Sequence, residues 1–243
     1  MSLLARLRPS LLACLDLLLP PVCLFCGSST LPPRPAPSLC AVCRAALDPT
    51  VSACRRCETP FHSFAPGRHL CQTCLCHPPA FSRVYPVGLH RPPLQTAIHG
   101  YKYREQLLLA DLFGRLMSER LLQETELPVF DLVVPVPLHA RRLRQRGYNQ
   151  ALELARPVAR RLAVPCDGHA LQRVRATPPQ QGLNRDQRRR NLRAAFRCRR
   201  QLPGAVVLLV DDVMTSGATA DACSRALLTA GADEVHVAVL ARA

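Results

Sequence analysis

The sequence predicts an α/β domain, a parallel sheet wrapped by helices, preceded by a small cysteine-rich module. Three observations predict it. From about Phe81 onward, apolar strand-like runs alternate with segments of helical periodicity. Ten of the 13 cysteines crowd between Cys14 and Cys76. The chain's 243 residues suffice for two compact units and are long for one average domain. An apolar share of 48% supplies a core and excludes an intrinsically disordered chain. No uncharged apolar run reaches the roughly 18 residues of a membrane span. The net charge of +15, from 32 basic and 17 acidic residues, points to a polyanion or a phosphate-rich ligand. Lys102 is the single lysine; the other basic residues are arginine, which suits bidentate phosphate contacts.

Residues 1–20 are greasy, but Arg6, Arg8, Pro9 and Asp16 interrupt them, so a secretory signal is not expected. They read as an amphipathic helix covering part of the core. A cytoplasmic protein, with its thiols reduced, is the expectation that follows.

Eight cysteines then form four C-x-x-C pairs: Cys23/Cys26, Cys40/Cys43, Cys54/Cys57 and Cys71/Cys74. Adding 31 to each cysteine of the first two pairs gives the last two, so residues 21–79 hold a tandem repeat. Each unit reads C-x2-C-x13-C-x2-C, close to the spacing of a thiolate zinc site. Two short knuckles facing each other offer the tetrahedron of soft ligands that zinc takes. Two structural zinc ions are expected, one on Cys23, Cys26, Cys40 and Cys43, the other on Cys54, Cys57, Cys71 and Cys74. A reducing compartment argues against disulfides. Ligation by cysteine alone leaves an iron–sulfur centre open at this point. A closed four-thiolate site has no open coordination position, so its first duty is to fold a segment too small for its own core. Leu31-Pro32-Pro33-Arg34-Pro35 and His77-Pro78-Pro79 mark a ribbon loop and the exit linker. Cys76 and His77 break the repeat, and Cys14, Cys166, Cys198 and Cys223 read as small core residues.

The second unit, 80–243, is read element by element. Leu107–Leu122 and Asn149–Leu162 have apolar residues at helical spacing. Phe130–Val134, Ala205–Val210 and Val235–Leu240 are short buried-strand candidates. A helix over Thr219–Ala230 ends at Gly231. In such sheets ligands bind outside the carboxyl ends of the strands.

One strand end carries the chemistry. The apolar run Val206–Val210 delivers Asp211 and Asp212, and then Val213-Met214-Thr215-Ser216-Gly217-Ala218-Thr219 turns into a helix. Backbone N–H groups of such a turn, with the positive end of the helix, suit one phosphate. Gly217 permits close approach or a positive φ. The paired carboxylates are acceptors for two vicinal sugar hydroxyls, with a divalent cation nearby. Sugar diol beside phosphate describes a ribose 5-phosphate. The G-x4-G-K-[ST] and G-x-G-x-x-G phosphate loops are both absent here.

This stretch resembles the binding motif for 5-phosphoribosyl 1-pyrophosphate (PRPP) of type I phosphoribosyltransferases. Further segments are similar to those of the ComF/GntX family. These are His99-Gly100-Tyr101-Lys102-Tyr103, Val134-Pro135-Val136-Pro137-Leu138 and Arg146-Gly147-Tyr148-Asn149-Gln150. Gln180-Gln181-Gly182-Leu183, with Arg188, Asn191 and Phe196, is another. Members of that family carry a double zinc ribbon before the transferase-like domain. The resemblance implies a type I phosphoribosyltransferase fold, a Rossmann-like parallel sheet flanked by helices, behind a four-cysteine double zinc ribbon. It implies PRPP as ligand, with magnesium bridging pyrophosphate to the sugar. Asp211 and Asp212 would hold the ribose hydroxyls and favour the cationic sugar that forms when pyrophosphate leaves. Val213 through Thr219 would wrap the 5-phosphate. Pyrophosphate would lie on the loop Pro137–Arg141, on the N–H groups of Leu138, His139 and Ala140 and on the Arg141 side chain. Arg188 belongs to Thr177–Arg190, which matches the flexible catalytic loop by position, and Lys102 follows the family pattern.

The family is associated with DNA uptake in natural transformation, so single-stranded DNA and the competence machinery are the implied partners. Residues 131–200 contain 17 arginines and four acids, a density that suits a DNA backbone. Two other readings fit the same residues: a phosphoribosyltransferase of nucleotide salvage or biosynthesis with an unnamed acceptor, and a PRPP-sensing regulator. A base pocket is expected from the segment before Phe130, from the ribbons, or not at all.

Overall fold

The computed structural model describes residues 22–29, 39–48, 52–61, 69–103, 108–175, 187, 191–192 and 194–243. The helix expected over 1–20, Cys14, Arg188 and the loop Thr177–Arg190 apart from Gln187 lie outside the described residues, as does the Lys102 side chain.

The cysteine module contributes α1 (Ala41–Ala45) and α2 (Gln72–Cys76). After it come β1 (Arg83–Leu89), α3 (Leu94–Tyr103), α4 (Leu108–Leu122), β2 (Leu132–Pro135), α5 (Ala140–Arg146) and α6 (Gln150–Leu162). The chain continues through β3 (Leu171–Arg173), β4 (Phe196–Cys198), β5 (Val206–Met214), α7 (Ala218–Thr229) and β6 (Glu234–Arg242). The main sheet has the order β1-β6-β5-β2 with every pairing parallel, and β3 and β4 form a small antiparallel hairpin.

Both faces of this sheet are covered, which is why its central strands are apolar without alternation. Leu208 and Val210 of β5 face one side, with Val133, Ala238 and Leu240, against α3, α4 and α6. Val207 and Leu209 face the other, with Val134, Val237 and Val239, against Cys223 and Leu227 of α7. The two-residue period of the strand makes that division. Asn149 starts α6 by accepting a hydrogen bond from Ala151 N at 3.1 Å. Gly114 lets α4 approach α6 closely, since a Cβ there would lie 2.4 Å from Cγ of Pro157.

Among the described residues the expected strands and helices occur, with the ends of β5 and β6 corrected. The apolar run predicts that β5 ends at Val210, but the strand continues through both aspartates to Met214. Its partner β6 continues beside it, pairing Asp211 with Val239 and Met214 with Arg242, so the ladder outlasts the apolar run. Strand β1, helices α3 and α5 and the hairpin β3–β4 are additions that the sequence pattern does not announce.

Candidate ribose-phosphate site and metal centres

The 31-residue repeat of the cysteines is also a repeat of backbone. In the first ribbon Cys23 N donates to Ser28 O at 2.7 Å and Gly27 N to Cys23 O at 2.8 Å. In the second, Cys54 N donates to Thr59 O at 3.0 Å and Glu58 N to Cys54 O at 2.9 Å. The turn needs a positive φ at the same place in both, 75° at Gly27 and 53° at Glu58. Helices α1 and α2 also stand 31 residues apart, Ala41 corresponding to Gln72.

Each ribbon gathers four sulfurs within 4.8 Å of one another, Cys23, Cys26, Cys40 and Cys43 in one and Cys54, Cys57, Cys71 and Cys74 in the other. Cys26 and Cys40 stand 3.7 Å apart, as do Cys57 and Cys71. A tetrahedron with metal–sulfur bonds of about 2.3 Å has an edge of about 3.8 Å, so the donor sets fit one zinc each. Those separations exceed a disulfide bond of about 2.05 Å. Of the remaining cysteines, Cys223 is fully buried, and burial pushes its thiol well up. Cys166 and Cys198 are half-buried rather than core, and Cys76 is exposed.

The ribbons dock differently. The first packs on α4, with Phe25 5.9 Å from Phe113 between ring centres and Arg44 3.1 Å from Glu119. The second meets the sheet itself: Val84 N donates to Arg56 O at 2.9 Å, and Arg242 Nε to Cys57 O at 2.9 Å. The linker after it is fastened to α7, where Ala80 N donates to Asp221 Oδ1 at 2.7 Å.

Asp211 and Asp212 lie on the part of β5 that extends beyond the end of β2, and both are half-buried. Asp212 N donates to Asp211 Oδ1 at 2.9 Å. Thr215 is exposed and Val213, Ser216 and Thr219 are half-buried, while the side chains of Met214 and Ala218 are buried. Gly217 caps α7 at φ 77°, and its carbonyl accepts from Asp221 N at 2.9 Å. That left-handed backbone is what requires glycine there.

The segment after β2 differs from the loop expected. Val136 N is taken by Val210 O at 2.9 Å, leaving Leu138 and His139 to lead into a helix that begins at Ala140. His139 caps that helix, its Nδ1 accepting from Arg141 N at 3.3 Å. Arg141, expected at the end of that loop, lies instead in the first turn of α5, where Arg142 and Arg144 are exposed beside it. A histidine cap and Gly147 at φ 77° bound the helix, and no apolar stripe announces it.

Two family segments quoted above meet in space. Tyr148 Oη donates to Tyr101 O at 2.8 Å, and Tyr101 Oη to Gln150 O at 3.0 Å. Burial, reinforced by the charge of Glu153, pushes the Tyr101 phenol well up. Asn149 Nδ2 holds Val136 O at 3.1 Å, which ties α6 to the segment after β2. Sequence reasoning missed Arg173, whose guanidinium lies 5.6 Å from the centre of the Phe196 ring. Burial and the neighbouring Arg142 charge lower its proton affinity, and Asp211 opposes them. It also missed Arg242, which binds the backbone of Met214 at 3.0 Å.

A phosphoribosyl transferase domain model matches residues 149–243, and a double zinc ribbon domain model matches residues 14–75. The class is thereby defined: a phosphoribosyltransferase fold behind tandem zinc ribbons. Among relatives, the DNA utilization protein YhgH of Salmonella typhi is 36% identical over 208 residues, covering 84% of this chain and 90% of its own. YhgH of Escherichia coli (strain K12) matches with the same figures. Competence protein F of Haemophilus influenzae is 32% identical over 213 residues, with 84% and 90% covered. The chain belongs to the ComF/GntX family. Among solved structures, the glutamine PRPP amidotransferase from B. subtilis is similar at 23% identity and a TM-score of 0.37. That match covers 54% of this chain and 25% of the amidotransferase, so the chain spans about a quarter of that protein's length. TT1426 from Thermus thermophilus is similar at 21% identity and a TM-score of 0.34, with 54% and 72% covered. No helix among the described residues is long and apolar enough to cross a membrane.

Proposed function

We propose that this protein binds PRPP, or a related ribose 5-phosphate, with magnesium at the carboxyl end of β5. We further propose that its arginine-rich surface handles single-stranded DNA in the cytoplasm during natural transformation. One observation carries the first reading. A buried parallel strand presents two half-buried carboxylates and then a turn, capped by a left-handed glycine, that opens a helix. Asp211 and Asp212 take the sugar hydroxyls, and the peptide groups of Thr215 through Thr219 take the 5-phosphate. Pyrophosphate is assigned to Arg141 of α5, and the family resemblance adds Arg188 and Lys102. The exposed arginines of α5 and the names of the relatives, a DNA utilization protein and a competence protein, support the second reading.

Calorimetry of PRPP with magnesium tests the site. Asn at both Asp211 and Asp212 keeps the shape and removes two charge-assisted hydrogen bonds, at about 1.5–3 kcal/mol each. Affinity is expected to fall by roughly a hundredfold, and unchanged binding sinks the assignment. A single-stranded oligonucleotide titrated at rising salt tests the DNA role, with steep loss of affinity expected and little sequence preference.

A further inference from the structure

Arg242 ends β6 and is only 4% exposed. A buried guanidinium is tolerated where its donors are met, and here they divide between two parts of the molecule. One edge holds the second ribbon: Nε donates to Cys57 O at 2.9 Å and Nη2 to Thr59 Oγ1. Thr59 Oγ1 is itself 3.1 Å from the Cys57 sulfur. The other edge holds the turn after β5, with Nη1 donating to the carbonyls of Met214, at 3.0 Å, and Thr215, and also to Ala243 O. Ala243 N shares the Met214 carbonyl at 3.0 Å and leaves Thr215 O to the guanidinium. A narrow crevice has the same two walls, Cys57, Thr73 and Cys74 on one side and Ser216, Gly217 and Ala218 on the other.

The grip on two carbonyls has a directional consequence. In a planar trans peptide the C=O and N–H point opposite ways. The Met214 carbonyl shares its peptide with Thr215 N–H, and the Thr215 carbonyl shares its peptide with Ser216 N–H. Holding both oxygens against a cation therefore aims both N–H groups away from Arg242. It also neutralises two carbonyl dipoles that an anion on the turn would otherwise meet.

We infer that Arg242 is the positioning residue of this turn and that the second ribbon, by anchoring its guanidinium, sets the turn's geometry. Anion binding at the turn and metal binding in the second ribbon then favour each other, since coupling between two sites is reciprocal. The first ribbon, docked on α4, has no part in it. The inference rests on the turn being the 5-phosphate site proposed above.

The test uses the full-length protein with both zinc ions and two readouts: PRPP–magnesium affinity by calorimetry, and zinc release to a chromophoric chelator. In the wild type, PRPP with magnesium slows one of two release phases. Arg242→Lys keeps the charge but cannot span both walls. It is expected to retain two zinc ions, bind PRPP at least about tenfold more weakly, and lose the ligand's protection of zinc. Thr59→Val removes a ribbon-side acceptor, and with it the hydroxyl contact to the Cys57 sulfur, while keeping all four thiolates and the turn, and is expected to cost about threefold in affinity with weakened protection. A merely structural arginine would lower thermal stability without abolishing the ligand's selective effect on one zinc. Wild-type affinity and protection in Arg242→Lys overturn the inference alone. Should that variant fail to fold, unchanged affinity and protection in Thr59→Val overturn it. A wild-type protein that does not bind PRPP overturns the phosphate reading and the inference together.

Discussion

The two ribbons are alike in their interiors and unlike in their surroundings. Spacing, turn hydrogen bonds, the positive φ and the short helix all recur after 31 residues. Yet the first ribbon meets α4 through the side chains of Phe25 and Arg44 and lies beside Gly88 of β1 at Leu47, while the second hydrogen-bonds the backbone of β1 through Arg56 and the Arg242 side chain through Cys57 and Thr59. The metal-ligating pattern determines how each module folds, and the residues between the ligands determine where it docks. A duplicated module can thus keep its chemistry and divide its duties, one copy extending the core and the other bordering the ligand turn.

The comparison breaks most visibly at the thiolates. Cys40→Ser and Cys54→Ser should each lower zinc content from two ions to one by elemental analysis, and each forfeits structural metal worth on the order of 10 kcal/mol to its ribbon. The two are expected to part company in ligand binding. Cys54→Ser should weaken PRPP binding by about tenfold or more, as loss of the Arg242 contact does, whereas Cys40→Ser should leave affinity within about twofold. Equal effects would mean that the ribbons are interchangeable supports.

Phe25→Ala probes the first interface at smaller cost. Phe25 is buried against Phe113, whose ring in turn stands edge-on to Tyr101 at 5.5 Å. Deleting the ring should destabilise the protein by about 3 kcal/mol in thermal unfolding, with zinc content unchanged. Arg44→Gln should matter least. Its pair with Glu119 joins side chains that are 55% and 39% exposed, so the loss should stay below about 1 kcal/mol and shrink with added salt.

What the sequence revealed follows what local chemistry dictates. The thiolate repeat was legible because coordination geometry imposes spacing on neighbouring residues. Strands β5 and β6 and helices α6 and α7 were legible because their burial is written as apolar runs or helical periods. Strand β1 was hidden by Pro86 and Gly88, residues tolerable on an edge strand whose partner in the sheet is β6 alone. Helix α5 was hidden because an exposed arginine helix buries no stripe, and the three-residue strands β3 and β4 because their order comes from each other. Among site residues, Asp211, Asp212 and Gly217 announced themselves by their place after an apolar run. Arg242 did not, since its partners Cys57 and Thr59 lie more than 180 residues earlier, and no local pattern encodes such a contact.

The position of β6 has a consequence for synthesis on the ribosome. It lies between β1 and β5 in the sheet, although β1 leaves the exit tunnel about 150 residues earlier. Until β6 emerges, β1 has no strand to pair with and the second ribbon lacks the guanidinium that fastens it. Helices and ribbons can form as they appear, but the sheet closes in a single late insertion at its middle. Between the emergence of β5 and that of β6, nascent chains of this protein therefore carry an open apolar slot, a demand on chaperones that the finished molecule no longer displays.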